Sequence, residues 1–532
     1  MEILSVSEMQ AADALAIERG AVGADLMEAA GRAVADAIME RYEHCHVVVL
    51  AGPGNNGGDG FVVAQVLKKA GWMVNLYLLG DKADLTGDAA VHAKRWRGKV
   101  HPLENALDAL AGMDGSECVL VVDALFGTGL TRPLQGTSKM LAELVTVSQA
   151  QGAAPLVVSI DIPSGLNGDT GRALGGRRRG GICFHADLTV TFCRPKPGHA
   201  LMPGRGVCGD IVIADIGISD DVVDEVKGHK YLNTPSQWGE YFPFHEEDVH
   251  KYARGHVTVL GGPVMCGAAR MVSYAARRIG AGLACIAAPT KAFNIYAIAT
   301  EPGTLVAPIK DAKAFRKLIS DSRKNACVIG PGAGIGKATR DMTLDAIKLG
   351  KSCVIDADAI TCFQKAPKAL FQAIKAARKA NMQQETVVLT PHSGEFARIF
   401  PDLAARLMKP KNHDKDCKVE VTRDAAKRAG CIVLLKGPDT VVASPDGCTT
   451  ISVNAPASLA TAGAGDVLSG MISGLMAQGM PAFAAANAAV WLHGEAANTF
   501  GPGLVAEDLC EELPYQLGEL MEELIESGSV HL

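Results

Sequence analysis

The stretch "HVVVLAGPGNNGGDGF", His46 to Phe61, decides how the first half of the chain is read. Val47–Leu50 is an unbroken apolar run, the pattern of a strand buried on both faces. Gly52, Gly54 and Gly57 follow as G-x-G-x-x-G, and a helical stretch, Phe61–Ala70, comes next. Strand, glycine loop and helix in that order fit a dinucleotide-binding fingerprint, in which glycines let the backbone approach a pyrophosphate at a helix N-terminus. The loop also carries Asn55, Asn56 and Asp59, a polar load that a plain phosphate cradle does not need. The stretch therefore poses a choice between a hydride carrier and a nucleotide that is itself acted on.

Outward from this point, short β-branched runs alternate with helical patterns. Ser7–Arg19 and Ala24–Tyr42 precede it with apolar residues at 3–4 spacing, and Val74–Leu79, Val119–Val122, Leu156–Ile160 and Leu188–Phe192 are the next expected strands. The alternation breaks over Gly217–Glu247, where charges, prolines and aromatics gather without a period, and a domain boundary is expected between residues 228 and 243. It restarts with His256–Leu260, Leu283–Ala287, Ala326–Ile329, Cys353–Ile355, Thr386–Leu389, Cys431–Leu435 and Val441–Ala443. The last helices expected are Gly465–Gln478 and Ala482–Ala497. The pattern predicts two α/β domains, residues 1–228 and 243–532, each with a parallel sheet covered on both faces.

Composition narrows the function. The chain has 532 residues, 48% hydrophobic and 21% charged, as in ordinary globular proteins. A net charge of −6 without a long basic run argues against nucleic acid or an anionic membrane as the main partner. The densest basic spot, Arg177–Arg179, sits in a glycine-rich loop and reads as solvated. The 14 cysteines show no C-x-x-C pair and no zinc spacing, which fits free thiols in a reducing cytoplasm. The N-terminus lacks an apolar core of signal-peptide type, and no run of 18 apolar residues appears.

Three polar clusters fall at the expected carboxyl ends of strands in the first half, where open α/β sheets bind ligands. They are the opening loop; "VVDALFGTGLTRPL", with Asp123, Gly127, Thr128 and Gly129; and "SIDIPSGLNGDTG", with Asp161, Ser164, Asn167 and Asp169. A single Asp after a strand is more commonly a helix cap or turn residue; three clusters on one sheet edge point to a site. Their amide, carboxylate and hydroxyl oxygens suit a hard cation. A carboxylate in a partly dehydrated loop can also serve as acid or base.

"LMEAAG" (Leu26–Gly31), "NNGGDG" (Asn55–Gly60), "DALFGTGL" (Asp123–Leu130) and "DIPSGLNGDTG" (Asp161–Gly171) together resemble the NAD(P)H-hydrate epimerase domain over roughly residues 1–220. The resemblance implies a Rossmann-like three-layer sandwich. It implies that Asn55, Asn56, Gly57, Gly58 and Asp59, with Gly127, Thr128, Gly129, Leu130, Thr131, Arg132 and Pro133, line a hydrated-nucleotide pocket. It also implies that Asn56, Asp123 and Ser164 hold a potassium ion, and that Asp161 contacts substrate as the acid/base residue. "TFCRPKPGH" (Thr191–His199) is similar to the family's late strand and loop; there Lys196 reads as a contact or, equally, as a surface lysine.

The second half has no Walker A motif, since "GPGAGIGKAT" (Gly330–Thr339) has Pro331 and Ala338 at two required positions. In "NAPASLATAGAGDVLSGMISGLMAQG" (Asn454–Gly479), Gly463 and Gly465 precede Asp466 at a helix start. First-turn amides can bind a phosphoryl group there, and Asp466 can take a proton from a hydroxyl. A capped helix after a flexible loop fits that segment as well. His392, in "LTPHSGEFARIF", fits either a ligand loop or a structural role. Asp356 and Asp358, in "VIDADAI", read as strand-end ligands or as a helix cap, with a structural role expected for Asp358.

The glycine–aspartate segment resembles the signature of ribokinase-like small-molecule kinases. With "GHVTVLGGP", "GAARMVSYAARRIGAGL", "VIGPGAGIG" and "LLKGPDTVVASPDG", residues 245–515 are similar to the ADP-dependent NAD(P)H-hydrate dehydratase. The resemblance implies a ribokinase-like α/β domain. Lys436, Gly437, Pro438, Asp439, Thr440, Gly463 and Gly465 would bind ADP, spent as AMP, with Mg2+. Ala268, Gly334, His392 and Asp466 would face the hydrate. The signature reads AGAGD where GGSGD is expected, which removes one hydroxyl. The two resemblances together imply an enzyme with isomerase and lyase activities that repairs nicotinamide nucleotides. It would interconvert the R and S hydrates of NADH and NADPH and dehydrate the S form at the expense of ADP. Small molecules are the expected partners, in a cytoplasmic homo-oligomer. The alternative is a ribokinase-like kinase of a small alcohol, of hydroxymethylpyrimidine type, fused to a non-catalytic nucleotide-binding module.

Overall fold

The structure, a computed structural model, describes residues 1–112, 118–150, 155–176, 181–245, 248–382, 384–410 and 416–528. Arg177–Arg179 lies outside the described residues. Two compact units result, the first ending at Lys230 and the second beginning at Tyr231.

In the first unit, seven strands form one parallel sheet: β1 (His46–Ala51), β2 (Met73–Leu78), β3 (Val100–Pro102), β4 (Val119–Ala124), β5 (Leu156–Ile160), β6 (Leu188–Phe192) and β7 (Asp210–Ala214). Their order is β3-β2-β1-β4-β5-β6-β7. The period-2 geometry of a strand sends alternate residues to opposite faces. Val47, Val49 and Ala51 join a core under the helices Val6–Glu18, Gly23–Arg41 and Asn55–Lys69, while Val48 and Leu50 join the core under Gly136–Ala150. Sheet growth reverses between β1 and β4, and this opens a crevice at their carboxyl ends.

The second unit holds a ten-stranded sheet made of β8 (Lys230–Leu232), β9 (His256–Leu260), β10 (Leu283–Pro289), β11 (Leu305–Ile309), β12 (Ala326–Ile329), β13 (Ser352–Ile355), β14 (Val387–Leu389), β15 (Ile432–Leu435), β16 (Val441–Ala443) and β17 (Thr449–Ile451). The order is β11-β10-β9-β12-β13-β14-β15-β16-β17-β8, parallel from β11 to β15 and antiparallel from β15 to β17. One face packs on the helices Cys266–Arg278, Ala464–Ala477, Ala482–Phe500 and Ala506–Glu526. The other face packs on Ala312–Ile319, Lys337–Lys348, Pro367–Ala380 and Lys418–Ala429.

Three expectations need correction. The polar motif Asn55–Gly60 is not loop: the helix begins at Asn55, because its glycines, poor helix formers, are held there by packing. A Cβ on Gly58 would lie 2.5 Å from Met27 Sδ, and one on Gly60 would lie 2.7 Å from Ala124 Cβ. The aperiodic segment before residue 243 folds onto the second unit, where Trp238 is fully buried and its indole N–H donates to Asn233 Oδ1 at 3.0 Å. Finally, Ala482–Ala497 is not the last helix. Ala506–Glu526 follows it and carries Pro514 inside, which masks its pattern in the sequence.

Candidate active sites

A cavity of about 530 Å³ opens at the β1/β4 crevice. Its floor is built by close backbone packing. A Cβ on Gly52 would stand 1.8 Å from the Leu125 carbonyl oxygen, and one on Gly57 would stand 1.8 Å from the Gly52 carbonyl oxygen. Of the three fingerprint glycines, only Gly54 has open space around it and lines the cavity. Gly31 of "LMEAAG" lets its helix approach the next, since a Cβ there would lie 2.4 Å from Val62 Cβ; Leu26, Met27 and Ala30 of that segment form a cavity wall.

Asp161 follows β5 in the left-handed region, with φ 63°. Its Oδ1 accepts from Lys196 Nζ at 2.7 Å and from Thr191 Oγ1 at 3.1 Å; Lys196 Nζ also donates to Thr191 Oγ1 at 2.9 Å. His199 ties the pair together. Its Nδ1 accepts from the Lys196 backbone N–H at 3.0 Å, which leaves Nε2 to donate to the Asp161 carbonyl at 2.9 Å. Burial favours this neutral ring, and with the nearby Lys196 charge it pushes the His199 pKa down to about 4. Burial alone would push the Asp161 carboxyl up, but Lys196 and the Thr191 hydroxyl outweigh it and hold the group below its ordinary value.

Two further carboxyls face the same space with the opposite bias. Burial, with Asp161 and Asp13 nearby, pushes Asp59 well above its ordinary value. Asp13, on the helix Val6–Glu18, is pushed up to about 6 by burial and by Asp161, against the pull of Lys196. Behind them lies Asp123, fully buried. It accepts from Ser164 Oγ at 2.6 Å, Ser164 N at 2.7 Å and Ser159 Oγ at 3.1 Å, yet burial still raises it to about 6. Ser164 Oγ also meets the Phe126 carbonyl at 3.0 Å. Asn56 and Asp161 converge on Gly127, where an added Cβ would lie 3.1 Å from Asn56 Oδ1 and 3.3 Å from Asp161 Oδ2. The Asn56 side-chain nitrogen is buried without a partner.

The second cluster sits beyond the carboxyl ends of β12 to β15. Asp356, at the end of β13, is almost wholly buried. Its Oδ1 accepts from Lys436 Nζ at 2.8 Å and from Ala357 N at 2.9 Å, and its Oδ2 accepts from Ser469 Oγ at 2.9 Å. Burial alone would lower the Lys436 ammonium, but Asp356, Glu395 and Asp466 outweigh it and hold it above its ordinary value. Asp466 lies in the first turn of Ala464–Ala477, behind Gly463 at φ 94°. Burial and Asp356 push it up to about 6, against Lys436. Gly465 lies beside Lys436, whose Nζ would be 3.4 Å from a Cβ there. The Gly330 loop packs on this group, since a Cβ on Gly330 would stand 1.8 Å from the Asp356 carbonyl oxygen.

Comparison with known proteins fits two such sites in one chain. Residues 257–514 match the family model described as NAD(P)H-hydrate dehydratase, and residues 23–198 match that of the YjeF-related protein N-terminus. The bifunctional NAD(P)H-hydrate repair enzyme Nnr of Moorella thermoacetica is 32% identical, with 98% of each chain covered. The chain belongs to this family. The Salinibacter ruber member is 33% identical, over 96% of this chain and 95% of that one. A solved ADP/ATP-dependent NAD(P)H-hydrate dehydratase from Bacillus subtilis, co-crystallized with ATP/Mg2+, is 23% identical; it covers 55% of this chain and 98% of that chain, with a TM-score of 0.44.

Within this family member, Asn55, Asn56, Asp59, Gly127, Thr128, Gly129, Leu130 and Asp161 line the first cavity. Gly57, Gly58, Thr131, Arg132 and Pro133 do not; the first two are packing positions. Asn167 and Asp169 of the third cluster are structural. Asn167 Oδ1 accepts from Thr170 N and Oγ1, and Asp169 Oδ1 accepts from Val6 N. Lys196 is no surface lysine, being 1% exposed. Nothing in the sequence singles out Asp13 or His199.

In the second unit the structure brings Lys436, Gly465 and Asp466 together. His392 is exposed at the start of Ser393–Ile399, where its Nδ1 accepts from Gly394 N at 2.9 Å and its Nε2 lies 3.2 Å from Glu395 Oε1. Glu395, absent from the sequence-based set, is buried and held above its ordinary value by burial and by Asp356. Asp439 is engaged by Lys418 Nζ at 2.6 Å, and Thr440 Oγ1 closes a turn on the Gly437 carbonyl at 2.8 Å. Asp358 accepts from Gly334 N at 2.9 Å and so shapes the glycine loop, whereas Asp356 caps the next helix. Ala268 is buried, and its Cβ lies 3.3 Å from where a Gly332 Cβ would be. Ala464, which stands where GGSGD has its serine, is buried in the core.

Proposed function

We propose that the first unit interconverts the R and S hydrates of NADH and NADPH, and that the second dehydrates the S hydrate at the expense of ADP, giving AMP and phosphate. The observation that carries the first half is the set of carboxyls with opposed proton affinities around one nucleotide-sized cavity. Asp161 is kept ionised, while Asp59 and Asp13 are pushed toward the protonated form. Inverting a ring carbon that bears a hydroxyl and is bonded to the ring nitrogen moves protons but no electrons, so acid and base suffice. Asp161 serves as base.

A potassium ion fits the donors around Ser164. The Asp123 carboxylate, the Ser164 hydroxyl, the Phe126 carbonyl and the Asn56 amide are hard oxygens. Asp123 is buried with only neutral donors. Asn56, Asp123 and Ser164 would hold the ion, which would supply counter-charge to Asp123 and brace the Gly127 loop.

In the second unit, Asp466 takes the proton of the substrate hydroxyl as the oxygen attacks the terminal phosphoryl group of ADP. First-turn amides at Gly463–Gly465 and the Lys436 ammonium meet the developing negative charge. The phosphorylated oxygen then leaves as phosphate while the neighbouring carbon loses a proton, which restores the ring double bond. The Mg2+ that accompanies the nucleotide would be held chiefly by the phosphates themselves. Fourteen free thiols fit a reducing cytoplasm.

The test is an incubation with hydrated NADH. Mixed R and S hydrates with ADP should recover fully the absorbance of the reduced ring in the wild type, but only the S fraction in Asp161→Ala. Equal consumption of the R hydrate by both proteins would overturn the role of Asp161. No recovery at all, with phosphorylation of a small alcohol, would overturn the repair reading in favour of a kinase.

A further inference from the structure

The helix Val6–Glu18 turns one face to the first cavity through Met9, Gln10, Asp13 and Ile17, and Asp13 is the one ionisable group on that face. Charged groups surround it. Lys196 and Asp161 act on its carboxyl, and it acts on Asp59 and on the Cys193 thiol. The helix Asp220–Val226, packed against the same helix, adds no residue to the cavity lining. Among the described residues nothing hydrogen-bonds the Asp13 carboxyl, so it faces the cavity free to engage a ligand. Asp59 is 8% exposed and deep, whereas Asp13 is half-buried beside the exposed Gln10 and Ile17. Asp13 therefore lies nearer solvent than Asp59, within reach of a proton supply; Asp88, also half-buried, is a further carboxyl in the cavity lining.

We infer that Asp13 is the general acid of the first site, working opposite Asp161 on the ring nitrogen of the hydrate. This rests on the epimerase reading. Asp161 removes the hydroxyl proton, and the oxygen's electron pair forms a carbonyl. The carbon–nitrogen bond opens, and its electrons take the Asp13 proton onto nitrogen. After the carbonyl turns its other face, nitrogen attacks it. The N–H proton returns to Asp13, and the oxygen recovers the proton from Asp161. No electron leaves the substrate, and both carboxyls end as they began. A carboxyl raised to about 6 can both hold and release a proton near neutrality.

The experiment compares wild type, Asp13→Asn and Asp13→Glu on the purified R hydrate without ADP, following R-to-S interconversion by proton NMR across pH. Wild-type kcat/KM should fall as pH rises through about 6, because the acid must be protonated. Asp13→Asn should lower kcat by about 10²–10⁴-fold with little change in KM, and should lose that alkaline limb. Asp13→Glu should restore part of the rate with the limb displaced. An Asp13→Asn protein with near wild-type kcat, or one that is slow but keeps the limb, overturns the inference. If thermal unfolding shows Asp13→Asn to be misfolded, Asp13→Glu decides: an unmoved limb overturns it. A wild type that does not interconvert the hydrates sinks the epimerase reading, and the role of Asp13 with it.

Discussion

Each half of the molecule sets one lysine among carboxylates beyond the carboxyl ends of parallel strands, but the two lysines are engaged differently. Lys196 bonds the candidate base itself, Asp161. Lys436 bonds Asp356, a carboxylate also held by Ser469 and a backbone amide, and Asp466 is left without a cation in contact. Asp161 is consequently held below the ordinary carboxylate range, while Asp466 sits at about 6. The presence of a lysine does not decide which carboxyl carries a proton at neutral pH. Its choice of partner does.

The largest expected effect comes from removing Asp466, the carboxyl of the second arrangement that Lys436 does not bond. Asp466→Asn should lower the dehydration rate by about 10²–10⁴-fold, read as recovered absorbance of the reduced ring. In the wild type the same assay should lose activity as pH falls through about 6, since the base must be ionised. A flat profile to pH 5 would break the contrast between the two sites.

A smaller effect is expected from breaking the pair in the first site. Lys196→Met leaves the Asp161 carboxylate buried without its cation, a change of about 3–5 kcal/mol in unfolding free energy by chemical denaturation. The acid limb of epimerisation should also move to higher pH, because Asp161 loses the charge that holds it down. An unmoved acid limb would mean that Lys196 does not set the ionisation of Asp161.

The smallest effect has the opposite sign. Asp59 is raised, so the native state binds more protons than the unfolded chain at neutral pH, and stability falls as pH rises. Asp59→Asn removes that penalty and should raise Tm by about 2–4 °C at pH 7, with the gain vanishing below the unfolded pKa. Epimerisation should fall in the same variant, as expected where a site is held at a cost to stability.

What the sequence conveyed follows from burial. The apolar runs at β1, β4, β5, β6, β9 and β12 to β15 belong to strands enclosed on both sides, where almost every position is buried. The strands it did not convey are β3, β7, β8 and β11, all at sheet edges, together with the short β17 beside β8. Edge strands are half-solvated and brief, and Pro102 and Asp210 fall in two of them. The site was legible where motifs carry it, at Asn56, Asp123, Asp161 and Asp466. It was not legible at Asp13, an acidic residue on an amphipathic helix like many others, nor at His199, whose importance comes from two backbone bonds. The fingerprint glycines were read as room for a phosphate, and two of the three are instead room for the chain itself.

That last feature constrains how the first cavity could be redesigned. With carbonyl oxygens 1.8 Å from where a methyl group would stand at Gly52 and at Gly57, the floor is a fixed gauge of depth. Even alanine would push the helix Asn55–Lys69 off its strand. An engineer seeking to admit a bulkier or differently charged nucleotide would have to work on the opposite wall, through Met9, Gln10 and Ile17, where side chains rather than backbone meet the ligand space.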